Sequence, residues 1–248
     1  MQELTVSELL LSTGYGMRDG MGIELYVPIR SVRDRVHYED LNRQPYTPPH
    51  PGLHHRNETL TKPADPQLAL HFGHNFETWT IAGRTGVAIP LGRTEPNPFA
   101  LGEQGLWHQH IQFGNGTWDP LLGVAFARGF GAFDLELDGF ARLTLYENDH
   151  GYQAGNRYFG SLTGSHPFAR TWKGSAGLVV AREMPERWDG LIETEGNLGR
   201  TDVLLSLTAS YGMKNAGAMR FNLQVPIASH STGEQVTMPL VFAVGWER

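Results

Sequence analysis

The chain contains no cysteine, which excludes disulfides, thiolate metal sites and thiol catalysis. It has no apolar run approaching the ~20 residues that a membrane-spanning helix requires. Basic residues are not in excess: 20 Lys and Arg stand against 26 Asp and Glu, a formal net charge of −6. That balance gives no reason to expect nucleic-acid binding. No phosphate loop, dinucleotide fingerprint or H-E-x-x-H occurs, and the adjacent Ser165-His166 lacks a nucleophile-elbow context. No enzyme activity is therefore expected, and no cofactor is implied. No amphipathic helix of useful length is legible. The opening Met1-Gln2-Glu3 also lacks the basic start and apolar core of a secretory signal.

What the chain has is alternation. In residues 133–146, F-D-L-E-L-D-G-F-A-R-L-T-L-Y, one parity carries Phe133, Leu135, Leu137, Gly139, Ala141, Leu143 and Leu145. The other carries Asp134, Glu136, Asp138, Phe140, Arg142, Thr144 and Tyr146. Successive side chains of a strand point to opposite faces, so this reads as one long strand with a greasy and a charged side. The pattern recurs at 21–29, 81–91, 203–211 and 219–227. Weaker versions run through 4–15, 67–74, 121–128, 157–165, 172–183 and 238–248. That makes about eleven strands in a single domain over residues 1–248. A mean hydropathy of −0.33 suits a soluble protein and a membrane barrel equally, since half of every barrel strand faces a polar lumen.

Connections alternate in length. Short ones fall near 17–20, 75–78, 129–132, 168–171 and 214–217. Long ones fall near 38–62, 93–118, 147–156 and 185–200, with a shorter one near 229–236. This is the rhythm of an up-and-down antiparallel barrel whose tight turns lie at one end and whose elaborated loops lie at the other. Eleven strands would bring 4–15 and 238–248 together in parallel, whereas closed antiparallel barrels favour even counts. The expectation is thus a transmembrane barrel of about twelve strands that lacks its first N-terminal strand here. Val27-Pro28-Ile29, Ile89-Pro90-Leu91 and Val225-Pro226-Ile227 are expected near strand ends, and Asp65-Pro66 and Asp119-Pro120 at strand starts, because proline lacks the ladder donor.

At residues 108–128, H-Q-H-I-Q-F-G-N-G-T-W-D-P-L-L-G-V-A-F-A-R, the sequence resembles a known group. It is similar to the outer-membrane transporters named for the meta-cleavage pathway (MetA-pathway) of phenol degradation. That family shows a G-x-G-T-x-D-P stretch opening a strand, here Gly114 to Pro120. His54-His55-Arg56-Asn57-Glu58-Thr59-Leu60 and Glu147-Asn148-Asp149-His150-Gly151-Tyr152 are similar to family members as well. The resemblance implies an outer-membrane β-barrel of a Gram-negative bacterium that transports small solutes, aromatic or hydrophobic compounds among them. It brings no catalytic residues.

Parity then directs the basic residues Arg30, Arg84, Arg142, Arg157 and Arg220 into the lumen, with Glu24, Asp134, Glu136 and Asp138. Inward Gly123, Ala125 and Ala127 would leave room beside the acidic strand. The charges can form a self-paired network that braces a narrow barrel, or some can line a solute path. Barrels near eight strands are filled by side chains and those near sixteen leave a channel. Histidine offers a second candidate site: His54 and His55, with His50, in one long loop and His108 and His110 in the next could bring imidazoles to a metal. His71 and His74 read as lumen or turn residues. Trp79, Phe130, Phe133, Phe168, Trp172 and Tyr211 beside short turns, and Trp107, Trp118 and Trp188 in long loops, are candidates for interfacial belts.

Three readings follow. The first is an outer-membrane barrel, partnered by the lipid bilayer and a small-molecule solute and not by nucleic acid. The second is a non-transporting surface barrel that binds metal through its histidine-rich loops. The third is a soluble β-protein with its apolar face inward.

Overall fold

A computed structural model describes residues 2–47, 56–233 and 238–247. Its strands are β1 (Gln2–Arg18), β2 (Met21–Val36), β3 (Glu58–Pro63), β4 (Gln67–Asn75), β5 (Trp79–Ala88), β6 (Asp119–Phe130) and β7 (Phe133–Arg142). They continue as β8 (Tyr152–Gln153), β9 (Arg157–Ala169), β10 (Trp172–Glu183), β11 (Arg187–Trp188), β12 (Arg200–Met213), β13 (Gly217–Ser231) and β14 (Val241–Glu247). One short helix, α1 (Pro98–Glu103), lies between β5 and β6. Neighbours in the main sheet run β1-β2-β4-β5-β6-β7-β9-β10-β12-β13-β14, all antiparallel. β8 and β11 form a separate pair.

Strands β3 and β4 are one strand in two pieces, because both pair with β2 on the same side. The register steps by one residue between Ile29↔Pro63 and Tyr26↔Gln67. Pro63 and Pro66 bracket the break, where missing ladder donors make an irregularity cheap. The eleven strands read from alternation are therefore all present. Between the two edge strands, β1 and β14, no ladder exists among the described residues. The sheet is thus an open, barrel-like wall whose two ends do not pair with each other.

Cross-strand pairing shows why the alternation matters. Ile81, Phe126, Leu137, Leu162, Leu178, Leu205 and Val225 are successive partners across seven strands and form one row on one face. Leu137 and Leu162 remain about half exposed in the isolated chain. One position along, Glu136, Thr163, Gly177, Ser206 and Gln224 form the matching row on the opposite face. A one-residue slip anywhere would exchange the two.

Several strand boundaries differ from the sequence expectation. β7 ends at Arg142, not at residue 146. Side-chain acceptors take over there: the Thr144 amide donates to Asn156 Oδ1 at 2.7 Å, and the Trp118 amide to the Tyr146 hydroxyl at 2.9 Å. Two of the three proline tripeptides lie inside strands instead of near their ends. Pro28 stands in the middle of β2, opposite the β3/β4 break, where its carbonyl accepts from the Ala64 amide at 2.9 Å. Pro226 stands in β13 where the register with β12 shifts between Val203 and Leu204. Proline at a bulge loses no bond.

Candidate functional site: a cavity on the polar face

Residues from β1, β2, β4, β5, β7 and β9 that share the polar parity converge on a cavity of about 320 Å³. Convergence of six strands on one space shows that the polar face is the concave one. Loop residues Gln112, Phe113 and Asn115, with Tyr152 of β8, close over it. Four of the nine residues predicted to line the lumen, Arg30, Arg84, Arg142 and Arg157, meet here. Glu24 stands just behind, receiving the Tyr26 hydroxyl at 2.5 Å and facing His71 Nδ1 at 3.6 Å.

The other four share the polar face but lie toward the tight-turn end, away from the cavity. Asp134 pairs with Lys173 at 3.0 Å, and Asp138 accepts from the Ser161 hydroxyl at 3.0 Å. Glu136 pairs in register with Thr163. Arg220 reaches Glu247 at 3.1 Å, both largely exposed. Opposite the acidic stretch, Ala125 and Ala127 take the positions beside Asp138 and Glu136, which keeps space on that side.

The four cavity arginines are not equivalent. Arg30 donates through Nε and Nη2 to Glu8, at 3.1 and 2.9 Å. Arg157 donates in the same way to Glu183, at 3.0 and 2.9 Å. Arg142 sits between two carboxylates, with Nη2 2.8 Å from Asp65 Oδ2 and 2.6 Å from Asp119 Oδ2. Among the described residues Arg84 has no carboxylate within ion-pair distance; its guanidinium lies over the Tyr26 ring at 4.6 Å and the Phe140 ring at 5.7 Å.

The Arg142 triad is the most deeply buried charge group of the site. Asp65 is 2% exposed and Asp119 fully buried. Such carboxylates are tolerable only when every lone pair finds a donor. Asp65 receives the Gly92 and Asn115 amides at 3.0 and 2.8 Å. Asp119 receives the Thr117 hydroxyl at 2.6 Å and Asn115 Nδ2 at 2.7 Å. The Gly114-to-Pro120 stretch thus wraps the triad with its own amides and side chains. Gly116 holds φ +71° beside Asn148, and a Cβ at Gly114 would collide with Asp65 and Gly92. The two D-P dipeptides were expected to mark strand starts, and they do. Their carboxylates are the part that sequence reading missed; the signal was the same dipeptide at two strand entries, with an inward arginine on the neighbouring strand.

Above the cavity the long loops pack on each other. Tyr152, Ala154 and Trp188 form a buried cluster with Phe99 of α1 against it. Trp188, expected at a membrane boundary, is only 2% exposed and belongs to this cluster instead. Asn97 caps α1, its Oδ1 accepting from the Phe99 and Ala100 amides, and its Nδ2 donates to Asp189 at 2.8 Å, tying two loops together. Glu186 accepts the Asn197 amide at 3.2 Å and Trp188 Nε1 at 3.3 Å. Burial nevertheless pushes its carboxyl pKa up, with those hydrogen bonds opposing. Burial also raises the Tyr152 phenol.

His54 and His55 lie outside the described residues. His108 is buried, its Nδ1 2.8 Å from the Leu106 carbonyl, and its ring stands 5.2 Å from that of His110. Among the described residues no group of three or more His, Asp or Glu is placed to hold a metal ion. Aromatic residues do gather at the tight-turn end. Phe76 stacks on Trp79 at 3.7 Å, and Trp172 lies between Phe168 and Tyr211, at 6.3 and 4.9 Å.

No family model matches the chain, and no curated protein matches it either. Among solved structures it is similar to the COG4313 outer membrane channel from Pseudomonas putida F1, with a TM-score of 0.63 at 14% sequence identity. The match covers 93% of this chain and 79% of that one. At that identity the likeness is one of fold: an all-β antiparallel wall of the kind that builds an outer-membrane barrel.

Proposed function

We propose that the chain is an outer-membrane β-barrel channel that binds and passes a small solute. The observation that carries this reading is the sidedness of the wall around its cavity. An apolar row on the convex face suits lipid, while a polar concave face holds a space at the lower end of the ~300–1,000 Å³ typical of small-molecule sites. The fold likeness to an outer membrane channel supports it. A soluble protein with this wall would leave Phe126, Leu137, Leu162 and Leu178 in water, each more than 40% exposed. Four such side chains kept from water are worth on the order of 10 kcal/mol.

The purified chain, reconstituted into a planar bilayer, is expected to give discrete conductance steps. A bilayer that stays silent although the protein is inserted and folded would contradict the reading.

A further inference from the structure

We infer that Arg84 is the recognition point for a small carboxylate with an apolar body, bound in the cavity against Tyr26 and Phe140. This deepens the channel reading and rests on it. Arg30, Arg142 and Arg157 each spend their donors on a carboxylate. Among the described residues Arg84 makes no hydrogen bond or ion pair, and its Nε and Nη2 are buried without an acceptor. Buried donors are nearly always satisfied, so a standing deficit at a cavity wall points to a group that arrives from outside.

The shape of the deficit selects the ligand. A guanidinium presents its N–H groups in one plane, which matches the two coplanar oxygens of a carboxylate. The rings of Tyr26 and Phe140 lie beside that guanidinium, and Arg84 itself lines the cavity, so an acid group held there comes within its reach. The nearby acids are already engaged: Glu8 with Arg30, Asp65 with Arg142, and Glu24 with the Tyr26 hydroxyl. None of them neutralises Arg84 by direct contact. The other three arginines of the cavity are met by Glu8, Asp65, Asp119 and Glu183, so attraction is local to this one cation and no general anion selectivity follows. Leu10, Pro28, Ala64 and Phe113 complete the wall, which favours an apolar body behind the acid group, and about 320 Å³ admits a single-ring acid.

The test is calorimetric titration of the full chain, folded in detergent, with benzoate and with its neutral isostere benzamide. Saturable benzoate binding is expected, tighter than benzamide by about tenfold or more. Arg84→Gln should abolish that preference and Arg84→Lys retain part of it, with folding checked by the mobility of unheated protein on a gel. No benzoate binding, equal binding of the two probes, or an unchanged preference in Arg84→Gln would overturn the inference. Should Arg84→Gln fail to fold, the wild-type benzoate-to-benzamide ratio and Arg84→Lys decide it. Conductance of the same proteins separates the two claims. A conducting channel without the benzoate preference sinks only the carboxylate site, whereas a silent, folded wild type sinks the channel.

Discussion

The wall and the loop end are held together by different physics. In the wall, one row from Ile81 to Val225 repeats a single apolar rule across seven strands, and any one member contributes modestly. At the loop end, Arg142 is shared by Asp65 and Asp119, and each group there has one specific set of partners. Stability is thus spread thinly over the wall and concentrated at the lock. Removing one residue should therefore mean little in the first region and a great deal in the second, unless the residue removed reverses sidedness.

The largest effect is expected at the lock. Arg142→Ala leaves two buried carboxylates without their cation, a loss on the order of 3–5 kcal/mol, readable as a fall in the urea midpoint of detergent-folded protein. A wild-type midpoint would mean that Asp65 and Asp119 are satisfied without Arg142. Next comes the wall. Leu137→Arg places a charge in the apolar row and should cost ~2–4 kcal/mol in lipid, while the adjacent inward Glu136→Gln should be nearly silent. Equal costs would erase the difference between the faces.

Gly116→Ala should cost about 1–2 kcal/mol, because its left-handed conformation disfavours a Cβ and Asn148 stands beside it. Glu186 gives a pH effect. Its carboxyl is raised in the folded chain, so the protonated form is the one that folding favours. Its contribution is fully present below the ordinary carboxylate range and is lost as pH rises through the raised value. Amide exchange in residues 186–197, corrected for intrinsic rates, should show protection falling across that window in wild type and not in Glu186→Gln. Protection that grows with pH would contradict the assignment. Smallest of all, Lys173→Ala breaks a half-exposed pair with Asp134 and should shift the midpoint by under about 1 kcal/mol.

This contrast also explains what could be read in advance. A period of two is a local property, so Leu137 and Asp138 declare their faces from sequence alone, and eleven strands with their short and long connections follow. The lock obeys no period. Asp65, Asp119 and Arg142 lie far apart along the chain and meet only after the strands pair, so parity could send Arg142 inward without naming its partners. The early end of β7 has the same origin: residues 143–146 keep the alternation, yet Asn156 and Trp118 take their polar groups out of the ladder. Pro28 and Pro226 show the limit of a positional rule, since a bulge satisfies proline as well as a strand end does. Trp188 shows that an aromatic in a long loop can serve a local core, with Tyr152 and Phe99, as readily as a bilayer boundary.

The central claim is the direction of the two faces, and the absence of cysteine makes it directly measurable. Single variants Leu137→Cys and Asp138→Cys, each carrying a nitroxide label in reconstituted protein, can be relaxed by oxygen, which concentrates in lipid, or by a water-soluble nickel chelate. The account predicts that the label at 137 responds to oxygen and is sheltered from nickel, with the opposite at 138. Nickel access at 137 together with oxygen access at 138 would contradict it.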